Sequence, residues 1–219
     1  MVIDAHRRVV AIDGPAGAGK STIAKALASR LNMKYLDTGA MYRAITFEAM
    51  LRELDLDDQS AVTHLAQDCD LHVGIDRVII NGHDATQAIR GSEVTGNVSK
   101  VAANSGVRTE MRLRQQEWAT AHGGGVIEGR DIATVVFPDA VLKVFLTASP
   151  EVRAQRRVDQ HGGNVTEIAS AIAERDLLDS TRADSPLVSS FDAVVVDTSN
   201  RTVEDVVDEI EGMFFERNR

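Results

Sequence analysis

The string GPAGAGKS, at Gly14 to Ser21, is the stretch of sequence that decides the fold. It matches the pattern G-x-x-x-x-G-K-[S/T] at every fixed position, and it follows a short apolar run from Val9 to Ile12. Behind it, the apolar residues Ile23, Leu27 and Leu31 recur at helical spacing. A buried strand, a glycine turn and an amphipathic helix in this order are typical of a phosphate-binding loop.

Each residue type in this string has a physical role in holding a polyphosphate. Glycines let backbone N–H groups turn inward toward an anion, and a helix N-terminus adds partial positive charge. Lys20 can reach the β and γ phosphates of ATP, and the Ser21 hydroxyl can bind Mg²⁺. The alternative, a glycine turn beside an ordinary exposed lysine, is disfavoured by the flanking strand and helix. The predicted ATP site comprises Gly14, Pro15, Ala16, Gly17, Ala18, Gly19, Lys20, Ser21 and Thr22.

Charge and cysteine content limit the partners and the compartment. The 219 residues carry 24 basic and 33 acidic side chains, a net charge of −9, which opposes a general grip on nucleic acid or an anionic membrane. Cys69 is the single cysteine, so no intrachain disulfide can form, and it is expected to be a small core residue. Met1 to Arg8 contain no apolar leader, and no apolar run approaches the ~18 residues of a spanning helix. We therefore expect a cytoplasmic, unanchored protein.

The rest of the chain alternates short apolar runs with amphipathic stretches. Strands are predicted near 35–37, 126–127, 141–146 and 193–196, and helices near 150–159, 165–181 and 203–215, with further helical patterns between 92 and 122. This alternation predicts an α/β fold of the P-loop kinase type, with three layers and a central parallel sheet flanked by helices. Residues 54–90 differ, because short strands surround an Asn81-Gly82 turn, and they predict a small β-rich insert. We expect residues 1–219 to form a single P-loop kinase unit.

The phosphate loop does not identify the reaction, because GTPases and motor ATPases share it. A guanine-reading N-K-x-D string is absent, and the acidic balance disfavours translocation on nucleic acid. Arg175, Asp179 and Arg182 stand at i, i+4 and i+7, so on a helix they would share one face. There they could hold a phosphate and a sugar hydroxyl, or Arg175 and Asp179 could form an ordinary surface ion pair. Asp37-Thr38-Gly39 and Glu128-Gly129-Arg130-Asp131 stand at predicted strand ends, where open α/β sheets bind ligands.

Several strings together resemble the bacterial cytidylate kinase family, in the nucleoside monophosphate kinase group, over nearly the whole chain. They are AIDGPAGAGKST, YLDTGAMYRA, VSKVAANSGVR, EGRDIATVVFPDA, EVRAQRR and ERDLLDSTRADSPL. The resemblance implies transfer of the γ-phosphoryl group of ATP, with Mg²⁺, to CMP or dCMP in pyrimidine nucleotide metabolism. It also implies that residues 54–90 belong to the CMP-binding region and that a mobile lid over ATP lies at about 150–165. One departure is Glu128, where many relatives carry aspartate.

The same resemblance implies a role for individual residues in each part of the site. The cytosine would be read by Thr38, Ser99, Arg108 and Asp131. The sugar would be held by Arg175 and Asp179, and the acceptor phosphate by Arg43, Arg130 and Arg182. The lid would contribute Arg153, Arg156 and Arg157, of which Arg156 and Arg157 would also contact ATP. The residues expected to act on the transferring group are Lys20, Arg130, Arg153, Arg157 and Arg182.

Two other kinds of function are consistent with a phosphate loop. The nearest is another small-molecule kinase, acting on a sugar, shikimate or a different nucleotide. The second is a nucleotide-operated switch or regulatory ATPase that binds a partner protein. The cytidylate kinase hypothesis needs only small-molecule substrates, and for it we expect a monomer with no nucleic-acid or membrane partner.

Overall fold

Strand β1 (Val9–Asp13) lies at the centre of a five-stranded sheet, and all five of its residues are buried. The sheet order is β2-β6-β1-β7-β8, and β1 pairs in parallel with β6 and β7, as does β7 with β8. The other four strands are β2 (Tyr35–Asp37), β6 (Gly125–Gly129), β7 (Leu142–Thr147) and β8 (Val194–Asp197). The apolar runs predicted as strands are therefore confirmed, and so is the α/β fold with a central parallel sheet.

The computed structural model describes residues 8–218 and divides them into two units. The first unit holds residues 8–35 and 119–218, and the second is Leu36–Trp118. The predicted insert at 54–90 lies inside the second unit. The expectation that no apolar leader precedes the fold concerns mainly residues 1–7, which lie outside the described residues. Over residues 8–218, no helix has the length and apolar character needed to cross a membrane.

Helices of the first unit cover its sheet and carry the charged strings. Helix α1 (Lys20–Arg30) and helix α8 (Val203–Arg217) pack together and bury an apolar core with β1 and β7. Within that core Ile12, Leu27, Leu146 and Ile210 are fully buried, as the helical and strand periodicities require. The two predicted charged helices are present as α6 (Pro150–His161) and α7 (Val165–Thr181), which pack against each other.

The second unit combines helices with a small antiparallel sheet. Its helices are α2 (Thr38–Leu51), α3 (Gln59–Asp68), α4 (Ser92–Ala102) and most of α5 (Ser105–His122). Its strands β3 (Leu71–Val73), β4 (Val78–Ile80) and β5 (His83–Asp84) pair antiparallel.

Two local predictions for this unit are confirmed. The Asn81-Gly82 turn joins β4 and β5, and both of its residues have positive φ, 48° and 80°, which asparagine and glycine tolerate. Cys69 is a buried free thiol, and burial raises its pKa. The region 54–90 also holds the helix α3, which the sequence pattern did not predict.

Candidate functional site

The phosphate loop leaves β1 through a glycine that no other residue can replace without a clash. Gly14 has φ +150°, and a Cβ atom placed there would stand 2.1 Å from the carbonyl oxygen of Leu146 on β7. Gly17 and Gly19 have φ +79° and +88°, and Gly19 immediately precedes the first residue of α1. The loop therefore turns tightly at the end of β1 and enters the helix at Lys20, as the motif predicts.

Substitution of Gly14 tests this close approach. We expect Gly14→Ala to lower the free energy of unfolding by at least about 2 kcal/mol, because the new methyl group must displace the β7 backbone. Gly212→Ala is the matched control: Gly212 is exposed inside α8, and a Cβ there meets nothing within 4 Å. It should raise stability by roughly 0.5–1 kcal/mol through helix propensity. Urea unfolding of both variants measures the difference, and equal stabilities would contradict it.

Lys20 is almost completely buried in the structure. Its ammonium group donates to the carbonyl oxygen of Pro15 at 2.7 Å, within the loop itself. Burial is the largest cause, and repulsion from Arg130 the second, of a pKa of Lys20 lowered to about 7. A polyphosphate in the loop would oppose both causes, because an adjacent anion favours the charged form of lysine.

A proton-linked binding measurement follows from this lowered pKa. At about pH 8 the unliganded Lys20 is mostly neutral, whereas next to ADP phosphates it is charged, so ADP binding should take up close to one proton. The binding enthalpy measured in buffers of different ionisation enthalpy gives this number directly. The control is Lys20→Arg, which stays charged at every working pH and should show almost no uptake. Equal uptake by the two proteins would contradict the assignment to Lys20.

Asp13 closes β1 and holds the backbone that follows Asp131. Its two carboxylate oxygens accept hydrogen bonds from the backbone N–H groups of Ile132 at 3.0 Å and Ala133 at 2.8 Å. Burial raises the pKa of Asp13 to about 6, against the effect of those two hydrogen bonds. The sequence indicated Asp13 only as part of a turn. Its structural role is to join the end of β1 to the turn after β6.

An arginine and aspartate cluster lies next to this turn, in the same unit. Arg130 Nε and Asp179 Oδ2 are 2.9 Å apart, and Arg175 Nε is 4.0 Å from the same oxygen. Burial alone would raise the pKa of Asp179, but the charges of Arg130, Arg175 and Arg182 outweigh it and hold that pKa below its usual value. Asp179 is 4% exposed, so the pair at Arg175 and Asp179 is not the solvated surface pair considered above.

Arg182 joins this cluster by a route that the sequence spacing did not predict. The expectation that it continues the helical face of Arg175 and Asp179 was wrong, because α7 ends at Thr181 and Arg182 has an extended backbone, with ψ 144°. Its Nε donates to the carbonyl oxygen of Ser185 at 2.7 Å. Its Nη2 lies 3.6 Å from Asp131 Oδ1, and both side chains are almost completely buried. Arg182 therefore faces the turn after β6 instead of extending the helix.

The three arginines that were predicted to belong to a lid have different surroundings. Arg153 Nη1 donates to the carbonyl oxygen of Ala16 in the phosphate loop at 3.0 Å. Arg156 donates to the hydroxyl and the carbonyl oxygen of Thr198, at 2.9 and 2.6 Å, and the Thr198 hydroxyl lies 3.1 Å from the carbonyl oxygen of Ala18. Arg157 Nη1 lies 3.2 Å from the His161 ring on the exposed side of α6. Two of the three arginines are thus connected to the loop, Arg153 directly and Arg156 through Thr198.

Four predicted site residues belong to the second unit. Arg43 donates to the carbonyl oxygen of Ile89 at 3.1 Å and to the hydroxyl of Thr95 at 2.8 Å. Arg108 is buried, donates to the carbonyl oxygen of Ala102 at 3.0 Å and lies over the Tyr42 ring, 5.6 Å from its centre. Thr38 is buried at the start of α2, and Ser99 is half-buried on α4. Asp37 caps α2, accepting from the N–H of Ala40 at 2.9 Å.

Comparison with known proteins shows the family of this chain. The family model described as cytidylate kinase matches residues 10–214. The chain belongs to the cytidylate kinase family. A protein of Ligilactobacillus salivarius named cytidylate kinase is 46% identical, covering 95% of this chain and 97% of its own length. One of Mycobacterium avium with the same name is 47% identical, covering 96% of each.

Some relatives are longer and carry a second activity in their name. A bifunctional pantoate ligase/cytidylate kinase of Prochlorococcus marinus is 48% identical over 94% of this chain, which spans only 43% of that protein. Among solved structures, an uncharacterized Eubacterium ventriosum protein has a TM-score of 0.55 at 13% identity, covering 96% of this chain and 99% of its own. TT1252 of Thermus thermophilus has a TM-score of 0.51 at 17% identity, with 96% and 98% covered. At these identities the two structures support the fold alone.

Three residues of this cytidylate kinase family member make contacts that sequence reasoning missed. Thr198 is 3% exposed and contacts both the phosphate loop and Arg156. The Tyr35 hydroxyl donates a hydrogen bond to the buried carboxylate of Glu128. Asp176 contacts Ala16 of the loop. Thr198 did carry one signal, since it directly follows the carboxyl end of strand β8, and parallel sheets place ligand-binding residues at such strand ends.

Proposed function

We propose that this chain is a cytidylate kinase, which transfers the γ-phosphoryl group of ATP to CMP or dCMP and releases ADP with CDP or dCDP. The observation that carries the proposal is the arrangement of the first unit. There a phosphate loop with a buried lysine occurs together with the cluster of Arg130, Asp131, Asp179 and Arg182, in a chain that matches the family over residues 10–214.

On the donor side, the loop from Gly14 to Thr22 holds the phosphates of ATP. Backbone N–H groups and the start of α1 supply partial positive charge, and Lys20 supplies a full one. Among residues 8–218 no group of three or more His, Cys, Asp or Glu residues could hold a metal ion. The donor set fits Mg²⁺ nonetheless, because this ion commonly takes few protein ligands beside phosphates and water, and Ser21 is an exposed residue at the first turn of α1. When bound there, Mg²⁺ neutralises phosphate charge.

On the acceptor side, paired donors and acceptors match the parts of CMP. Guanidinium groups of Arg130 and Arg182 bind the phosphate, and Asp179 with Arg175 binds the sugar. Asp131 accepts from the N4 amino group of cytosine, which uracil lacks. We also propose Thr38, Arg43, Ser99 and Arg108 as CMP-binding residues, as the family resemblance implies.

Chemistry at this site rests on position and charge. The acceptor phosphate has a second pKa of about 6, so it is a dianion near neutrality and needs neither a general base nor a protein nucleophile. Lys20 and the arginines stabilise the charge that spreads over the transferring group. We propose that Arg153 and Arg157 join them when residues 150–165 close over ATP, which excludes water as a competing acceptor.

A coupled ADP-release assay tests the function directly. With ATP·Mg²⁺ as donor, the acceptors to compare are CMP, dCMP, UMP, AMP, GMP and shikimate. We expect CMP and dCMP to give the highest kcat/KM, CDP to form in equal amount to ADP, and ATP hydrolysis without acceptor to be negligible. A higher kcat/KM for shikimate or AMP would reject the proposal, and so would rapid hydrolysis without acceptor.

Two broader expectations belong to the same proposal. We place the reaction in the cytoplasm, in pyrimidine nucleotide metabolism, for which a lone cysteine and an acidic net charge are suitable. We also propose that a monomer is sufficient for activity. Sedimentation at assay concentrations tests the second expectation, and a dimer as the active species would contradict it.

A further inference from the structure

Ala16, in the middle of the phosphate loop, has both of its backbone polar groups bound by side chains from α6 and α7. Its N–H donates to Asp176 Oδ1 at 3.0 Å, and its carbonyl oxygen accepts from Arg153 Nη1 at 3.0 Å. Arg153 Nη1 also forms an ion pair with the other oxygen, Asp176 Oδ2. The three residues therefore form a closed ring of hydrogen bonds, although Ala16 and Asp176 are 160 positions apart.

This ring is shielded from water and tightly packed. The side chains of Arg153 and Asp176 are 11% and 19% exposed. At the next residue of the loop, Gly17, a Cβ atom would stand 3.0 Å from Arg153 Cβ and 3.1 Å from its carbonyl oxygen. Since the loop touches α6 directly, Ala16 cannot rotate its peptide groups without breaking charged, poorly hydrated hydrogen bonds.

A phosphate loop works only if its peptide groups keep a fixed orientation, because the N–H groups that bind the anion must already point inward. The ring fixes the two peptide groups on either side of Ala16, and Asp176 also balances the charge of Arg153. We propose that Asp176 is a positioning residue for the donor nucleotide: it holds the phosphate loop in its binding conformation through Ala16 and Arg153. This role rests on the proposed kinase function, but it concerns only the donor half of the site.

The neighbours of Asp176 on α7 allow the donor half of the site to be tested separately from the acceptor half. Arg175 and Asp179 belong to the cluster around Arg130, whereas Asp176, between them in sequence, contacts the loop. One stretch of α7 therefore serves both halves of the site, with different side chains for each. Loss of Asp176 should affect ATP and ADP more than CMP.

The test is Asp176→Asn, which keeps the size of the side chain but replaces one acceptor oxygen by a donor. A carboxylate accepts from Ala16 and Arg153 at once, while an amide must turn its NH₂ group toward one of these two donors. We expect the affinity for ADP, measured by calorimetry without any acceptor, to fall roughly 10-fold or more. At saturating ATP, KM for CMP should change less than about threefold, because residues that share no contact partners affect each other little.

The matched control is Glu174→Gln, which removes one negative charge from an exposed position two residues earlier on the same helix. Its ADP affinity should stay within about twofold of the unchanged protein, because exposed charges contribute little. Unchanged or increased ADP affinity in Asp176→Asn, at an unchanged melting temperature, would overturn the proposal. An increase would mean that Asp176 competes with phosphate for Arg153.

A second measurement keeps the proposal testable if Asp176→Asn does not fold. In the unsubstituted protein without nucleotide, the Ala16 N–H should exchange with deuterium slowly, because it is hydrogen-bonded and shielded. Exchange of this amide at the rate of an exposed loop would show that the ring is absent and would reject the proposal. Neither the ADP titration nor the exchange measurement uses CMP, so a protein that binds ADP as expected but fails to phosphorylate CMP would reject the proposed function alone.

Discussion

Lys20→Ala should lower kcat by roughly 10³-fold with every acceptor that the enzyme uses. The ammonium group of Lys20 carries the only lysine charge of the phosphate loop, and its Nζ atom lies 2.7 Å from the carbonyl oxygen of Pro15. In a buried site, a positive charge next to the transferring phosphoryl group stabilises the transition state far more than it would in water. Steady-state rates with saturating ATP and CMP, and again with dCMP, measure the loss.

The stability of this variant should not fall together with its activity. The pKa of Lys20 is about 7 in the folded protein, against 10.5 for an exposed lysine. At pH values between about 7 and 10.5, the unfolded chain binds more protons than the folded one, so the free energy of unfolding rises with pH across this range. Below this range Lys20 is charged in both states, and its burial destabilises the fold. Removing Lys20 should therefore leave the melting temperature at about pH 8 unchanged or higher.

Lys25→Ala is the matched control for the activity loss. Lys25 lies on the same helix, about one and a half turns further on, with its ammonium group 5.6 Å from the centre of the Tyr35 ring. It should keep kcat within about threefold, because a partly exposed cation over an aromatic ring contributes little to catalysis. If Lys20→Ala kept more than about a tenth of the normal kcat, or if Lys25→Ala lost as much, the assigned role of Lys20 would be rejected.

The strands and the phosphate loop were predictable from the sequence because they depend on local order. Val9 to Ile12 is a continuous apolar run that leads into a glycine turn, and the structure makes it the central, fully buried strand. The same reasoning located the Asn81-Gly82 turn, whose two positive φ angles suit those residue types. In each case the physical cause lies within about six neighbouring residues.

Contacts between distant segments were not predictable in this way. Asp176 and Ala16, or Thr198 and Ala18, meet only because the sheet brings their strands and helices side by side. No periodicity in a single sequence encodes which side chain will bind a given loop carbonyl. The family resemblance supplied ligand roles for the arginines, but it did not supply the residues that hold the loop.

The position of Arg182 was predicted wrongly for a different reason. A local signal for the end of the helix was present in the sequence, but the prediction followed the helical periodicity. The i, i+4, i+7 spacing predicted a continuous helical face, whereas the helix ends at Thr181. Pro186 follows shortly after, and Ser185 before it has φ +51°, so this segment leaves the helical conformation. The same departure allows Arg182 to reach Asp131, which a helical position would not have implied.

Asp131→Asn should change which pyrimidine the enzyme accepts. The side chain is buried, with Arg182 Nη2 at 3.6 Å from one oxygen, so the amide that replaces it has little freedom to avoid the ligand. In the proposed site Asp131 accepts from the N4 amino group of cytosine, and an asparagine NH₂ group would oppose that donor. We expect kcat/KM for CMP to fall about 10²-fold, and the ratio of UMP to CMP use to rise at least roughly 10-fold, because the uracil O4 atom is an acceptor.

The affinity for ADP distinguishes a change in pyrimidine specificity from a general loss of structure. ADP affinity in Asp131→Asn should stay within about threefold, because this substitution leaves the hydrogen bonds of the phosphate loop unchanged. Asp139→Asn, at an exposed position eight residues further on, should alter the use of neither substrate. A variant that lost ADP binding while keeping CMP affinity would reverse the two halves of the site.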